Sequence, residues 1–213
     1  TAVIPIKEYD PESNLVFVTK RGIVKKTKFD HFKNIRKNGL IAINLREDDE
    51  LISVRKTNGN RELILLTCNG MAIRFHENDV REMGRNATGV KAISLNKGDY
   101  VVSMDLVEEG KDLLVVSEYG YGKRTPLIEY KVQKRGGKGL KTYKIKEKTG
   151  CLVSGKVVDE NDEIMMISVT GIIIRLNVSG ISQMGRSTQG VTLMKVSEDE
   201  NRVVAVAKYV GEE

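Results

Sequence analysis

The chain has 213 residues, with 35 Lys and Arg against 29 Asp and Glu for a net charge of +6. That length can bury a full core in one or two domains, and the basic balance suits a polyanionic partner. No apolar run reaches the roughly 18 residues of a membrane-spanning helix and no basic-then-apolar leader opens the chain, so no membrane partner is expected. Thr1, Ala2 and Val3 stand where an initiator Met would, so the chain reads as a fragment of a longer polypeptide. Cys68 and Cys151 are isolated, with no Cys-x-x-Cys spacing, which fits two buried thiols in a reducing compartment.

Taken in order, the chain repeats one unit four times. Segments 15–27, 62–75, 112–125 and 163–176 each hold an apolar run, a turn around Gly22, Gly70, Gly120 or Gly171, and a second strand-like run. Asn69 followed by Gly70 is a hairpin signal, because both tolerate positive φ. A second glycine follows in each copy: Gly39, Gly89, Gly139 and Gly190, spaced 50, 50 and 51 residues apart. After it comes an alternating strand, such as 40–43 or 90–93. An acidic or glycine-containing turn (Asp48, Asp49 and Glu50; Gly98 and Asp99; Glu198, Asp199 and Glu200) then leads to a fourth strand, as at 51–54, 101–104 and 203–206. Helical periodicity is nowhere sustained. Four short strands per unit of about 50 residues predict an all-β, propeller-like array of four-stranded antiparallel blades, four in this chain. Their approximate bounds are 1–60, 61–110, 111–161 and 162–213.

Cations follow the repeat. An arginine precedes the second glycine by four residues in three copies (Arg85, Arg135, Arg186), and Arg36 is displaced by one in the first. Another cation stands four residues after each turn glycine: Lys26, Arg74, Arg124 and Arg175. Two readings are open for them: caps or ion pairs within each blade, or one set of phosphate contacts per blade. The richest stretch is 133–139, Gln133, Lys134, Arg135, Gly136, Gly137, Lys138 and Gly139. It lies in a window, 123–148, with ten basic residues against Glu129 and Glu147. Its glycines permit close backbone approach, and its cations attract phosphate. Residues 15–60 and 111–161 carry +6 each, and 61–110, 162–213 and the first 14 residues −2 each, so phosphate binding should lean on copies one and three.

No catalytic constellation is present. His31 and His76 are lone histidines, and no phosphate-binding Gly-x-x-x-x-Gly-Lys-Ser/Thr, Gly-x-Ser-x-Gly elbow or His-Glu-x-x-His occurs. With no Trp and four Phe, stacking on single strands is poorly supplied. Tyr119, Tyr121, Tyr130 and Tyr143 beside the basic stretch read as half-buried strand packing. Electrostatic binding along a duplex backbone remains. The residues expected to contact phosphate or shape the loop are Gln133, Lys134, Arg135, Gly136, Gly137, Lys138, Gly139, Lys123, Arg124, Lys141, Lys25, Lys26, Arg36, Lys37, Arg74, Arg85, Arg175 and Arg186. A propeller that binds protein partners without nucleic acid is the alternative from another class.

Residues 133–139 resemble the Gln-Arg-Arg-Gly-Gly-Lys-Gly box of the C-terminal domain of DNA gyrase A, with Lys134 in place of an Arg. Supporting similarities are residues 22–27, 83–90, 120–125 and 184–191, so the likeness covers essentially the whole chain. It implies a β-pinwheel whose neighbouring blades exchange strands, these being the last four of six. In that family the box lies on the first blade; here it is on the third copy, which places a principal box upstream and makes 133–139 a box-like loop. The resemblance further implies a non-catalytic domain that binds and wraps double-stranded DNA. It would act with gyrase B and the rest of gyrase A in ATP-dependent negative supercoiling, in the bacterial cytoplasm at the nucleoid. No cofactor is expected in this chain, since ATP and magnesium act elsewhere in the whole enzyme. The equivalent domain of topoisomerase IV is the runner-up.

Overall fold

The computed structural model describes residues 9–34, 37–196 and 201–209; the turn expected at Glu198, Asp199 and Glu200 lies outside them. The first repeat gives β1 (Asn14–Thr19), β2 (Ile23–Lys28) and β3 (Leu51–Thr57); the second gives β4 (Glu62–Thr67), β5 (Met71–His76), β6 (Val90–Lys91) and β7 (Val101–Leu106). The third gives β8 (Asp112–Ser117), β9 (Tyr121–Pro126), β10 (Leu140–Lys141) and β11 (Leu152–Val158), and the fourth β12 (Glu163–Ser168), β13 (Ile173–Asn177), β14 (Val191–Thr192) and β15 (Val203–Tyr209). All pairings between these strands are antiparallel.

Each repeat opens with the same hairpin for the same reason. The N–H of Gly22, Gly70, Gly120 or Gly171 donates to the carbonyl three residues earlier, at 3.0 Å in each case. Each glycine has φ between +75° and +82°, a region that other residues enter at a cost. The Thr19, Thr67 and Ser168 hydroxyls accept from the N–H four residues on, at 3.2–3.3 Å, and close the turn from inside.

The sheets are not the repeats. Strand orders are β3-β1-β2-β6, β10-β5-β4-β7, β11-β8-β9-β14 and β13-β12-β15, so the short strand after each second glycine completes the sheet of the preceding repeat. Three sheets therefore have four strands, and the last has three among the described residues. Exchange also gives the second glycines their purpose. A Cβ at Gly89 would stand 2.6 Å from the Val24 carbonyl oxygen, and one at Gly139 or Gly190 would overlap the carbonyl of Ala72 or Gly122. Gly39, with no described blade before it, has nothing within 4 Å. For the same reason 40–43 is not a strand, contrary to the alternation seen in its sequence. Ile41 is 68% exposed there, while Ala42 and Ile43 pack against Phe17 and Phe29.

Packing runs between sheets. Leu63 and Leu65 of β4 face the first sheet and join Val16, Val18, Ile73 and Phe75; Ile64 and Leu66 face the third and join Val115, Tyr130 and Tyr143. A strand covered on both faces needs a continuous apolar run, which β4 and β8 supply. In β12 burial alternates, with Ile164, Met166 and Ser168 buried and the residues between them only partly so, because nothing described covers the other face of the last sheet. Tyr130 and Tyr143 are wholly buried, deeper than the half-burial expected of them.

Candidate nucleic-acid interface

The recurrent cation four residues after the turn glycine is a clamp between repeats. Arg124 ion-pairs with Asp112 of its own hairpin at 3.0 Å and donates through Nε to the Ile181 carbonyl at 2.8 Å, at the end of the next repeat's 3-10 turn. Arg74 pairs with Glu62 and donates to the carbonyls of Leu127 and Tyr130. Lys26 reaches the Glu77 carbonyl at 3.0 Å. Arg175, with no described turn beyond it, folds onto Glu163 and the Tyr209 ring. The sequence pattern offers these four to phosphate; the structure spends their donors internally. A 3-10 turn ends with unsatisfied carbonyls, and a guanidinium satisfies them while its charge stays balanced by the carboxylate.

Lys25 and Lys123 are corrected more sharply. Both are fully buried. Lys25 Nζ donates to the carbonyls of Ala42 and Arg85, and Lys123 Nζ to those of Gly185 and Arg186 at 2.5 and 2.6 Å. Burial lowers both amines to about 8, because removing a charge from water disfavours it. Ile73 and Ile174 fill the same slot in the other repeats, which marks it as interior. Gln133 also turns inward: its Nε2 is buried without a partner, where Met83 and Met184 stand in the other copies.

What remains outside is lysine. The box loop leads into β10 of the second sheet, and on its way it bonds the chain just past β6 of the first: Gly136 N–H donates to Ala92 O at 2.6 Å and Ser94 N–H to Gly137 O at 2.8 Å. Gly136 and Gly139 take φ of +81° and +77°, and Gly137 does not leave the ordinary region. Arg135 is a brace: Nε donates to Asp79 O at 2.7 Å and Nη1 to Lys91 O at 2.9 Å. That bracing leaves Lys134 with its side chain 94% exposed, 4.0 Å from Asp79. Lys131, Lys138, Lys141, Lys144 and Lys146 are exposed too, and their ammonium groups have no ion pair among the described residues. Lys131, Lys144 and Lys146 belong to the basic window but not to the repeat pattern, and all three stand outside the strands.

The sibling loops sit alike. Asn44 N–H donates to Ala87 O, Ser94 N–H to Gly137 O and Lys144 N–H to Thr188 O, so 83–89, 133–139 and 184–190 cross successive junctions in one manner. Arg186 lies 3.8 Å from Glu129, and Arg85 is half-buried with no ion pair among the described residues. Lys37 is exposed, and Arg36 lies outside the described residues. Among the described residues no group of three or more His, Cys, Asp or Glu could hold a metal ion. Nor is any described helix long and apolar enough to cross a membrane.

Comparison with known proteins gives this architecture its kin. The chain is 57% identical over 207 residues to DNA gyrase A of Clostridium acetobutylicum and 48% identical over 216 residues to that of Staphylococcus epidermidis. Those matches cover 97% and 100% of the chain, which spans about a quarter of the length of either relative (25% and 24%). The C-terminal domain of DNA topoisomerase IV superposes with a TM-score of 0.90 at 32% identity, over 96% of this chain and 64% of that one. A DNA gyrase A C-terminal domain superposes at 0.88 and 30%, over 96% and 68%. The family model described as DNA gyrase C-terminal domain, beta-propeller, matches residues 13–58, 61–108, 111–159 and 162–208, and the chain belongs to that family.

Proposed function

We propose that this chain binds double-stranded DNA along the edge where the three exchanged loops cross the blade junctions, and curves it. The observation that carries this reading is Lys131, Lys134, Lys138, Lys141, Lys144 and Lys146, six exposed ammonium groups on the segment 131–146, only one of them within ion-pair distance of a carboxylate among the described residues. Mobile point charges suit a phosphate chain read for charge rather than sequence. Bending a 20–30 bp site by 40–90° costs about 1–6 kcal/mol, so contacts spread along an array serve better than one strong site.

Within the whole enzyme, the wrap presents a second duplex segment for strand passage. The chain's partners are then the rest of gyrase A together with gyrase B, acting on nucleoid DNA in the cytoplasm. ATP hydrolysis and strand cleavage belong to other parts. The superposition on a topoisomerase IV domain favours, as a second reading, a domain that binds DNA for relaxation without introducing supercoils.

The test is ligation of a nicked plasmid with the chain bound, followed by removal of protein. Wrapping shifts the topoisomer distribution in one direction in proportion to chain added. An unshifted distribution despite binding excludes wrapping, and salt-independent or absent binding favours a protein-interaction propeller. Negative supercoiling by full-length gyrase A together with gyrase B separates the gyrase reading from the topoisomerase IV one.

A further inference from the structure

The three blade junctions share a slot at the hairpin turns. Val101 N–H donates to Lys20 O, Leu152 N–H to Cys68 O and Val203 N–H to Glu118 O, at 2.8, 2.9 and 2.8 Å. Each bond sets a turn residue of one repeat beside the residue preceding the donor in the next, and the two side chains meet. At the first junction the Lys20 ammonium sits 5.4 Å from the Tyr100 ring centroid. At the third, Glu118 Oε2 lies 3.3 Å from Arg202 Nη1. At the second the pair is Cys68 and Cys151, the chain's two cysteines and both free. Cys151 Sγ is also 3.9 Å from Asn69 Oδ1, in the Cys68 turn.

We propose that Cys68 and Cys151 form a reversible modification site: peroxide joins them in an intramolecular disulfide that ties the second blade to the third. A disulfide requires Cα atoms about 4.4–6.8 Å apart, and neighbours of a single backbone hydrogen bond stand on that scale. Cys68 is buried, and its thiol is pushed up to about 12 by that burial, whereas Cys151 is only half-buried. This corrects the expectation of two buried thiols and gives them different parts. Cys151 attacks a peroxide oxygen, releasing water and becoming a sulfenic acid. Cys68 then attacks the sulfenic sulfur, expelling a second water. Two thiols lose two electrons and two protons to one peroxide.

The bond closes a loop that contains the entire lysine-bearing segment and β10. It constrains the unfolded chain over a long span and raises resistance to denaturant. The test treats the folded 213-residue chain with hydrogen peroxide, quenches in acid, and counts free thiols by alkylation in urea. The expected result is loss of both thiols in a monomer lighter by two hydrogens, a higher urea midpoint, and reversal by dithiothreitol. Cys68→Ser and Cys151→Ser each abolish the midpoint shift while remaining folded by circular dichroism. Two alkylated thiols after treatment, a disulfide only between chains, or an unchanged midpoint with both thiols consumed would overturn the proposal.

Discussion

The Nε of Arg124 donates to the carbonyl oxygen of Ile181 across a blade junction while its Nη1 pairs with Asp112. One side chain thus joins a hairpin to the 3-10 turn of the following repeat. Asp112 also accepts from Gln183 Nε2 at 3.1 Å, so the junction is a small closed network. Removing the cation leaves a nearly buried carboxylate uncompensated.

Arg124→Ala should therefore destabilise the chain by about 3 kcal/mol in urea denaturation, at the low end for a broken buried pair. Arg124→Lys should recover only part of that loss, because an ammonium cannot serve the carbonyl and carboxylate in one plane. Arg175→Ala should cost well under half as much, since that side chain is about half exposed and clamps no turn among the described residues.

The second glycines give a paired experiment. Gly39→Ala meets open space and bears only the left-handed backbone cost, about 1–2 kcal/mol. Gly139→Ala has nearly the same φ, +77°, and in addition forces a methyl group into the Ala72 carbonyl. It should cost at least about 3 kcal/mol. Equal midpoints for the two variants would contradict the inter-blade role of Gly139.

Lys123 supplies a pH dependence. Its amine is lowered to about 8 when folded and returns to its ordinary value near 10.5 when unfolded. Between those values the unfolded state binds more protons than the native state, so stability rises with pH. Relative to Lys123→Met, the wild type should gain stability between about pH 8 and pH 10.5. Comparison with that variant removes the tyrosines, whose raised values act in the opposite sense above about pH 10. A flat difference across the window would show that the two carbonyls hold the ammonium charged throughout.

Much of the blade is legible in the sequence because its devices are local. A turn that needs positive φ marks itself with Gly22, Gly70, Gly120 and Gly171, and runs such as 63–66 announce strands covered on both sides. Strand exchange is illegible from spacing, since a two-residue strand such as Leu140–Lys141 carries no periodicity. For the site, sequence singles out the 133–139 loop, but many of the donors it offers there and at the other repeats are engaged within the fold. Arginines recurring at blade spacing look like a row of phosphate contacts, yet recurrence follows equally from a junction clamp needed at every repeat. Comparing copies position by position separates the two. Lys25 and Lys123 alternate with Ile73 and Ile174, and Gln133 with Met83 and Met184, which identifies interior slots.

The central claim is that exposed lysines, rather than the recurrent arginines, neutralise phosphate. Its most direct measurement is the slope of log K against log salt for duplex binding by the chain and by a variant with Lys134, Lys138, Lys141 and Lys144 each changed to Gln. The expected slope is shallower by about 0.9 for each phosphate no longer neutralised, up to about 3.6 for all four, with an unchanged urea midpoint. An unchanged slope in a folded variant would contradict the claim and move the binding surface elsewhere.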